Sequence, residues 1–311
     1  MISYAKSPLE KYLKRAFPYL CAVTTQPKKR LLVLAGPTAS GKTDLAIKLS
    51  QQHGGAPILS ADSRQIYREM RIGTARPTDQ QIAAAPHHFI ATRSIFDPPF
   101  TAGDFVKQAL DILETHYAEH DTAILCGGTG MYIRALCEGI DTFPDVTTEI
   151  KQAVKLLYQN EGIAALQAAV AAEDPQYFAE TDTQNPHRLI RALEVTRAAG
   201  QPFSTYRSGQ KAIRPFEPTY MLLHPDRQIL LQRIEKRVHN MMSEGLLDEA
   251  RELYPHRNLI PLQTVGYQEF FQYFDGNYTL NQAIERLIIH TRQYAKRQIT
   301  WFKKDNFWQY I

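Results

Sequence analysis

The sequence predicts an α/β fold: a P-loop NTPase-like open parallel sheet flanked by helices, with an inserted all-helical domain. Three observations predict it. The apolar run Leu31-Leu32-Val33-Leu34-Ala35 leads directly into Gly36-Pro37-Thr38-Ala39-Ser40-Gly41-Lys42-Thr43, which satisfies G-x-x-x-x-G-K-[ST] at every defined position. Two further strand-like runs, Pro57–Ala61 and Thr122–Cys126, each end in a turn rich in polar residues or glycine. Between residues 144 and 202 strand-like alternation disappears in favour of Ala, Glu, Gln and Leu.

The first strand and its loop point successive backbone N–H groups at one small volume. The positive end of the following helix and the Lys42 ammonium add to them, so that volume suits a phosphate or diphosphate. Leu45, Ala46 and Leu49 continue at near-helical spacing, so the strand, loop and helix that the motif requires are all present. The loop alone leaves open whether its phosphates belong to ATP, GTP, a nucleotide acceptor or another diphosphate ester.

The second strand ends in Asp62-Ser63-Arg64-Gln65-Ile66-Tyr67. In an open parallel sheet the C-terminal strand ends share one edge, which places Asp62 beside Lys42 and Thr43. His87-His88-Phe89-Ile90 reads as a short strand, and a helix is expected from about Ala102 to His120. Thr122–Cys126 ends in Gly127-Gly128-Thr129-Gly130, a junction that permits close backbone approach and offers a hydroxyl to an anion or base. That strand ends in Cys126 and lacks the aspartate a conventional ATPase places there for Mg²⁺, so Asp62 is the better acidic group.

From Pro144 several short helices are expected; Asn185 is a candidate N-cap with Pro186 at N1, and Leu189, Ala192, Leu193 and Thr196 face inward. Arg188 and Arg191 share a surface of that helix. Strand-like sequence returns at Thr219–His224, followed after Pro225-Asp226 by a long helix with Ile229, Leu230, Ile234, Val238 and Met241 inward and Arg227, Arg233 and Arg237 outward. Arg233 and Arg237 are one helical turn apart and suit either a diphosphate clamp or a solvated face. The final helix, from Arg286 to Lys304, interleaves basic residues with Tyr294, Trp301 and Phe302, a pattern that suits a nucleic-acid backbone or a solvated amphipathic edge.

These readings divide the chain into a basic leader (1–30), the first part of the core (31–143), the helical insertion domain (144–202), and a return to the core with a basic C-terminal helical region (203–311). With 36 Lys and Arg against 32 Asp and Glu, the formal charge of +4 suits a phosphate-bearing partner without requiring one. Cys21, Cys126 and Cys137 lack metal-ligand spacing and read as reduced thiols. No apolar run approaches the roughly 18 residues of a membrane span, so the expectation is a cytoplasmic protein that needs no membrane. A nucleotide kinase, a nucleic-acid-dependent transferase and a nucleotide switch remain in competition. The switch is weakest, since it gives Asp62 and the arginine pairs no work.

The blocks Gly36–Thr43, Asp62–Tyr67, Ile72-Gly73-Thr74-Ala75-Arg76-Pro77, Pro86-His87-His88, Gly127–Tyr132, Asn185–Val195, Val265-Gly266-Tyr267 and Thr291–Trp301 stand together in one order over about residues 30–305. As a set they resemble the tRNA dimethylallyltransferase (tRNA isopentenyltransferase) family, bacterial type. The resemblance implies transfer of a dimethylallyl group from dimethylallyl diphosphate to N6 of the adenosine just 3′ of the anticodon, with a P-loop nucleotide kinase as the alternative. It implies that Gly36, Pro37, Thr38, Ala39, Ser40, Gly41, Lys42 and Thr43 hold the diphosphate leaving group, with Mg²⁺ on Thr43. Asp62 would be the general base, Thr129 would stand beside the flipped base, and Arg233 and Arg237 would complete the clamp.

The resemblance also implies tRNA contacts at Asp62, Ser63, Arg64, Gln65 and Thr129, at His187, Arg188, Leu189, Ile190 and Arg191, and at Gln263, Thr264, Val265, Gly266 and Tyr267. Arg292 and Arg297 would meet the backbone of the anticodon stem-loop, and the enzyme would act as a monomer. Arg76 stands where the family often has lysine, and Arg64 where several relatives carry a small residue; both substitutions keep or add positive charge.

Overall fold

A computed structural model describes residues 28–311. Most of the basic leader, and Cys21 with it, lies outside the described residues. Six strands form one all-parallel sheet in the order β3-β2-β4-β1-β5-β6, with β1 Arg30–Ala35, β2 Ile58–Ala61, β3 His87–His88, β4 Thr122–Gly127, β5 Glu217–Leu222 and β6 Gln309–Tyr310. The sequence of β1 explains its place at the centre: five of its six residues are buried, as a strand covered on both faces by helices requires. Register aligns the ends of three strands, pairing Ala35 with Gly127 of β4 and with Leu222 of β5. Ala61 of β2 pairs with the same Gly127, so the P-loop, the Asp62 turn and the Gly127–Gly130 turn leave the sheet at one level.

Helices α1 (Lys42–Gln52), α2 (Asp79–Ala84), α3 (Ala102–Tyr117) and α4 (Gly130–Glu138) serve as crossovers and cover the sheet. Thr78 and Thr101 begin α2 and α3 with complete capping boxes. The strand expected over His87–Ile90 stops at His88, because Phe89 and Ala91 take left-handed backbone angles of 63° and 51°.

The region after Pro144 is helical as its composition requires: α5 (Thr148–Glu173), α6 (Pro175–Glu180) and α7 (Pro186–Ala199). In α5 the helix breaks at Gly162, whose φ of 75° only glycine adopts freely. Asn185 caps α7 by accepting the Arg188 amide, and Leu189, Ala192, Leu193 and Thr196 are buried. These helices enclose their own apolar cluster, separate from the sheet's. It reaches beyond residues 144–202, since Phe143 stacks on Phe203 with centroids 4.8 Å apart and planes 5° apart, and Tyr177 meets Phe203 edge-on.

The chain then returns through β5 to α8 (Arg227–Ser243), α9 (Leu246–Leu253), α10 (Gln268–Phe274) and α11 (Leu280–Phe302). On α8, Leu230, Ile234, Val238 and Met241 are buried as expected, but Ile229 is 46% exposed. The apolar stripe is therefore narrower than the sequence suggested, and from α8 both Arg233, exposed, and Arg237, half-buried, reach the P-loop.

If Phe203 belongs to the insert's own core, Phe203→Ala will cost roughly 3–5 kcal/mol there. Hydrogen exchange should show faster amides in α5–α7 with unchanged protection in β1 and β4; uniform loss across both would show that the two cores unfold as one.

Candidate active site

The P-loop runs from Gly36 to α1, whose N-cap is Gly41 at φ 95° with no capping side chain. An uncapped helix start leaves backbone donors for an anion. Lys42 Nζ donates to the carbonyl oxygens of Gly36 at 2.9 Å and Pro37 at 2.6 Å. Burial pushes its pKa down to about 8, with Cys126 and Asp62 opposing the shift and Arg237 adding to it. Arg237 Nη1 donates to Thr38 Oγ1 at 3.2 Å and Arg233 Nη1 to the Ser40 carbonyl at 3.3 Å, so both reach the loop from α8. Arg237 lines the cavity beneath the loop, whereas Arg233 stays exposed on its outer side.

That cavity is about 420 Å³, and Thr38–Asp44 line it together with Asp62, Arg64, Gln65 and the loop Arg71–Thr78. Asp62 Oδ1 accepts the backbone N–H of Arg64 at 2.9 Å and of Gln65 at 3.3 Å, an arrangement that fixes the carboxylate by its own turn. Thr129 stands behind it rather than in the cavity lining: its hydroxyl accepts the Ser63 N–H at 3.1 Å, and its own N–H donates to the Ala61 carbonyl at 3.0 Å. Gln65 reaches across to the carbonyls of Thr74 and Ala75, at 3.2 and 3.1 Å.

The decisive residue in this arrangement lies within the Thr291–Trp301 block but is not among the site residues expected from the sequence. Gln298, 6% exposed on α11, accepts the Thr38 N–H at 2.8 Å through Oε1 and donates through Nε2 to the Gly128 carbonyl at 3.1 Å. A Cβ on Gly128 would lie 2.0 Å from that Nε2, and one on Gly130 would lie 2.0 Å from Trp301 Nε1. The glycines of this turn thus admit the protein's own C-terminal helix, where the sequence alone suggested approach to a ligand.

A second half-buried carboxylate, Glu249 of α9, organises the Arg71–Gly73 stretch of the lining. It accepts the N–H groups of Arg71 at 3.1 Å, Ile72 at 2.8 Å and Gly73 at 2.9 Å, and the Tyr267 hydroxyl at 2.8 Å. Its role was invisible in sequence because its partners are mostly backbone amides nearly two hundred residues away.

Several candidate residues stand elsewhere. Thr264, Val265 and Gly266 line the cavity, but Tyr267 is 0% exposed and Gln263 lies outside the lining. His187, Arg188 and Arg191 are exposed at the start of α7, away from the cavity, while Ile190 packs on the insert's core and Leu189 is buried within it. The side chains of Tyr267 and Leu189 have no exposed surface. Trp301 and Phe302 likewise pack inward instead of offering a stacking surface, while Tyr294 lines the cavity. Burial raises the Tyr294 hydroxyl well above the usual tyrosine range, so it stays a neutral donor. Arg292 pairs with Glu235 at 3.0 Å; Arg297 is exposed, with its guanidinium 5.9 Å from the Tyr294 ring centre.

Comparison with known proteins supplies what geometry cannot. A family model described as IPP transferase matches residues 65–305. The chain is 46% identical over 275 residues to a tRNA dimethylallyltransferase of Christiangramia forsetii, covering 88% of this chain and 90% of that protein. It belongs to the tRNA dimethylallyltransferase family. As a member it transfers a dimethylallyl group to a tRNA adenosine, and the kinase alternative falls away. Parabacteroides distasonis has a relative named tRNA dimethylallyltransferase 2, 42% identical across 88% of this chain and 91% of its own length. Among solved structures, the tRNA isopentenylpyrophosphate transferase of Bacillus halodurans is 32% identical with a TM-score of 0.67, over 91% of this chain and 90% of that one. A eukaryotic dimethylallyltransferase acting on tRNA shares the fold at a TM-score of 0.75 and 24% identity, over 91% of this chain and 74% of that one. Among the described residues of the dimethylallyltransferase chain, no helix is long and apolar enough to cross a membrane.

The lowered Lys42 pKa gives a signed expectation. An anion in the loop raises that pKa, so binding favours the ammonium, and affinity for inorganic pyrophosphate should fall on the order of tenfold per pH unit above about 8. Titration calorimetry against Lys42→Arg, which stays charged, removes the ligand's own ionisation; parallel profiles would place Lys42 outside the anion site.

Proposed function

We propose that the 420 Å³ cavity binds both substrates, dimethylallyl diphosphate against the P-loop and the target adenine against Asp62. The single observation that supports this most is that Thr38–Thr43 and Asp62 line one continuous space. The bond broken is then the allylic C–O bond. The bond formed joins that carbon to N6 of the adenosine just 3′ of the anticodon, and diphosphate leaves.

Each residue's work follows from its position. The loop amides, Lys42 and Arg237 offset the charge that grows on the departing diphosphate, with Arg237 the nearer clamp and Arg233 bracing the loop from outside. Lys42 now rests on carbonyls of its own loop, so it must exchange those bonds for diphosphate oxygens. Asp62, held by two amides, accepts a proton from N6 as the new bond forms. The adenine amine is a weak nucleophile because its lone pair is delocalised, so fixing it in line with the allylic carbon supplies much of the rate. Thr129 buttresses the Asp62 turn through Ser63.

No group of three or more metal-binding side chains occurs among the described residues. Mg²⁺ commonly takes one or two protein oxygens and completes its shell with substrate phosphates and water. The Thr43 hydroxyl would hold it, and the ion would neutralise diphosphate charge. The target base must leave its stack to enter the cavity, at a cost of a few kcal/mol. The anticodon stem-loop would lie between the core and the insertion domain, with His187, Arg188 and Arg191 on one side and Arg297 on the other.

Asp62→Asn should lower turnover about 10²–10⁴-fold while tRNA affinity stays within a few-fold, checked by single-turnover prenylation and filter binding. Near-normal turnover would remove Asp62 from proton transfer. For Arg297→Ala, the log–log salt slope of tRNA binding should fall by about one unit; an unchanged slope would assign Arg297 to packing on Tyr294.

A further inference from the structure

Four residues of α11, Leu287, Thr291, Tyr294 and Gln298, line the active-site cavity, and their spacing of four, three and four makes them one stripe along the helix. The far end of the stripe is fixed. Gln298 is bonded to the P-loop and to the Gly128 carbonyl, and Trp301 fills the space a side chain on Gly130 would need, so α11 is clamped to the Gly127–Gly130 turn. That turn abuts the turn of Asp62, because Thr129 bonds the backbone of both Ser63 and Ala61. Tyr294 stands one helical turn, about 6 Å, before Gln298 on the same stripe.

The Tyr294 hydroxyl has no work within the protein. Tyr117 and Tyr267 give theirs to the Arg30 carbonyl at 2.9 Å and to Glu249 at 2.8 Å, as tyrosines inside a fold usually do. The Tyr294 hydroxyl has no hydrogen-bond partner among the described residues and is not sealed from the cavity its side chain lines. Burial, and then the Asp62 charge, hold it well above the usual tyrosine range, while Arg64 and Arg297 oppose them; the hydroxyl therefore sits within reach of the Asp62 field and keeps its proton. It is a neutral donor on the same side of the cavity as a carboxylate acceptor.

Adenine presents the complement of that pair: the N6 amine donates, and a ring nitrogen that accepts flanks it on either side, N1 on one edge and N7 on the other. A neutral donor suits a neutral ring nitrogen, whereas the guanidiniums of Arg64 and Arg237 in the same cavity suit phosphate oxygens. We infer that the Tyr294 hydroxyl donates to a ring nitrogen flanking N6 of the target adenine, so that the base is held at two points while Asp62 takes the N6 proton. This rests on the reading that the adenine lies against Asp62, and it adds to that reading a substrate contact from α11. With Asp62 alone the amine would swivel about one hydrogen bond; the second bond fixes the plane of the base and aims the nitrogen at the allylic carbon. Guanine and uracil would set a carbonyl oxygen against the Asp62 carboxylate and gain nothing from the arrangement.

The test uses the full chain, dimethylallyl diphosphate with Mg²⁺, and three stem-loop RNAs carrying adenosine, 1-deazaadenosine or 7-deazaadenosine at the target position. With the wild type, one of the two deaza RNAs should lose about tenfold in kcat/KM, which also names the edge that is read. Tyr294→Phe, which keeps the ring, should lose a similar factor on the adenosine RNA, mostly in kcat, and no more than twofold further on that deaza RNA. Its affinity for inorganic pyrophosphate should match that of the wild type. Wild-type activity within twofold on both deaza RNAs would overturn the contact, whatever the variant does. So would losses that multiply when Tyr294→Phe meets either deaza RNA, or weakened pyrophosphate binding, which would put the hydroxyl on the diphosphate; each leaves wild-type prenylation of the adenosine RNA in place. Absence of that prenylation would overturn the reading of function itself, and the contact with it.

Discussion

The site depends on one carboxamide. Gln298 takes the N–H of Thr38 with its oxygen and the carbonyl of Gly128 with its nitrogen, at 2.8 and 3.1 Å. It thereby ties the loop that faces the phosphate to the turn that carries Thr129. Both partners are backbone groups at the ends of adjacent strands, and neither has a neighbour in the sheet at that level. A glutamine carboxamide offers both a donor and an acceptor on one uncharged side chain. Left unmade, each buried bond would cost about 1–3 kcal/mol. The small residues around Gln298 exist to let it in: the Cβ positions of Gly128 and Gly130 are already filled by Gln298 and Trp301.

From this tie the rest of the architecture follows. α11 must lie along the strand ends, so Ala295 joins Ala39, Leu230 and Ile234 in a small cluster that seats the P-loop between α8 and α11. That seating brings α8 close enough for Arg237 to reach Thr38 and for Arg233 to reach Ser40. Elsewhere in the lining, Glu249 holds the loop over Arg71–Gly73 and Tyr267 in the same manner, a half-buried acceptor gathering amides that have no strand to pair with. The cavity is thus framed by two polar side chains from the last third of the chain, while its P-loop and Asp62 come from the first half and Arg237 from the second.

This division explains what could be read from the sequence. The P-loop, Asp62 and their place on one sheet edge were legible, because a phosphate cradle needs a fixed local spacing and parallel sheets expose their strand ends together; the strand order itself was not. The insert and its Asn185-Pro186 cap were legible for the same local reason. What could not be read is tertiary. Gln298 and Glu249 act on backbone groups distant in sequence, and a lone Gln or Glu on a helix carries no pattern that marks it. Arg237 looked outward because α8 alone shows only its apolar stripe; the P-loop packed beside it decides which remaining face is inside. Tyr267 and Leu189 sit in motif segments yet are buried, so a family motif mixes residues that touch substrate with residues that shape the backbone.

The central claim is that this P-loop holds a leaving group rather than a phosphoryl donor. Incubating an anticodon stem-loop RNA with dimethylallyl diphosphate and Mg²⁺, and weighing the RNA by mass spectrometry, tests it most directly. The account predicts a gain of one dimethylallyl increment on the adenosine 3′ of the anticodon, without ATP. A gain that requires ATP and equals a phosphate increment would contradict it.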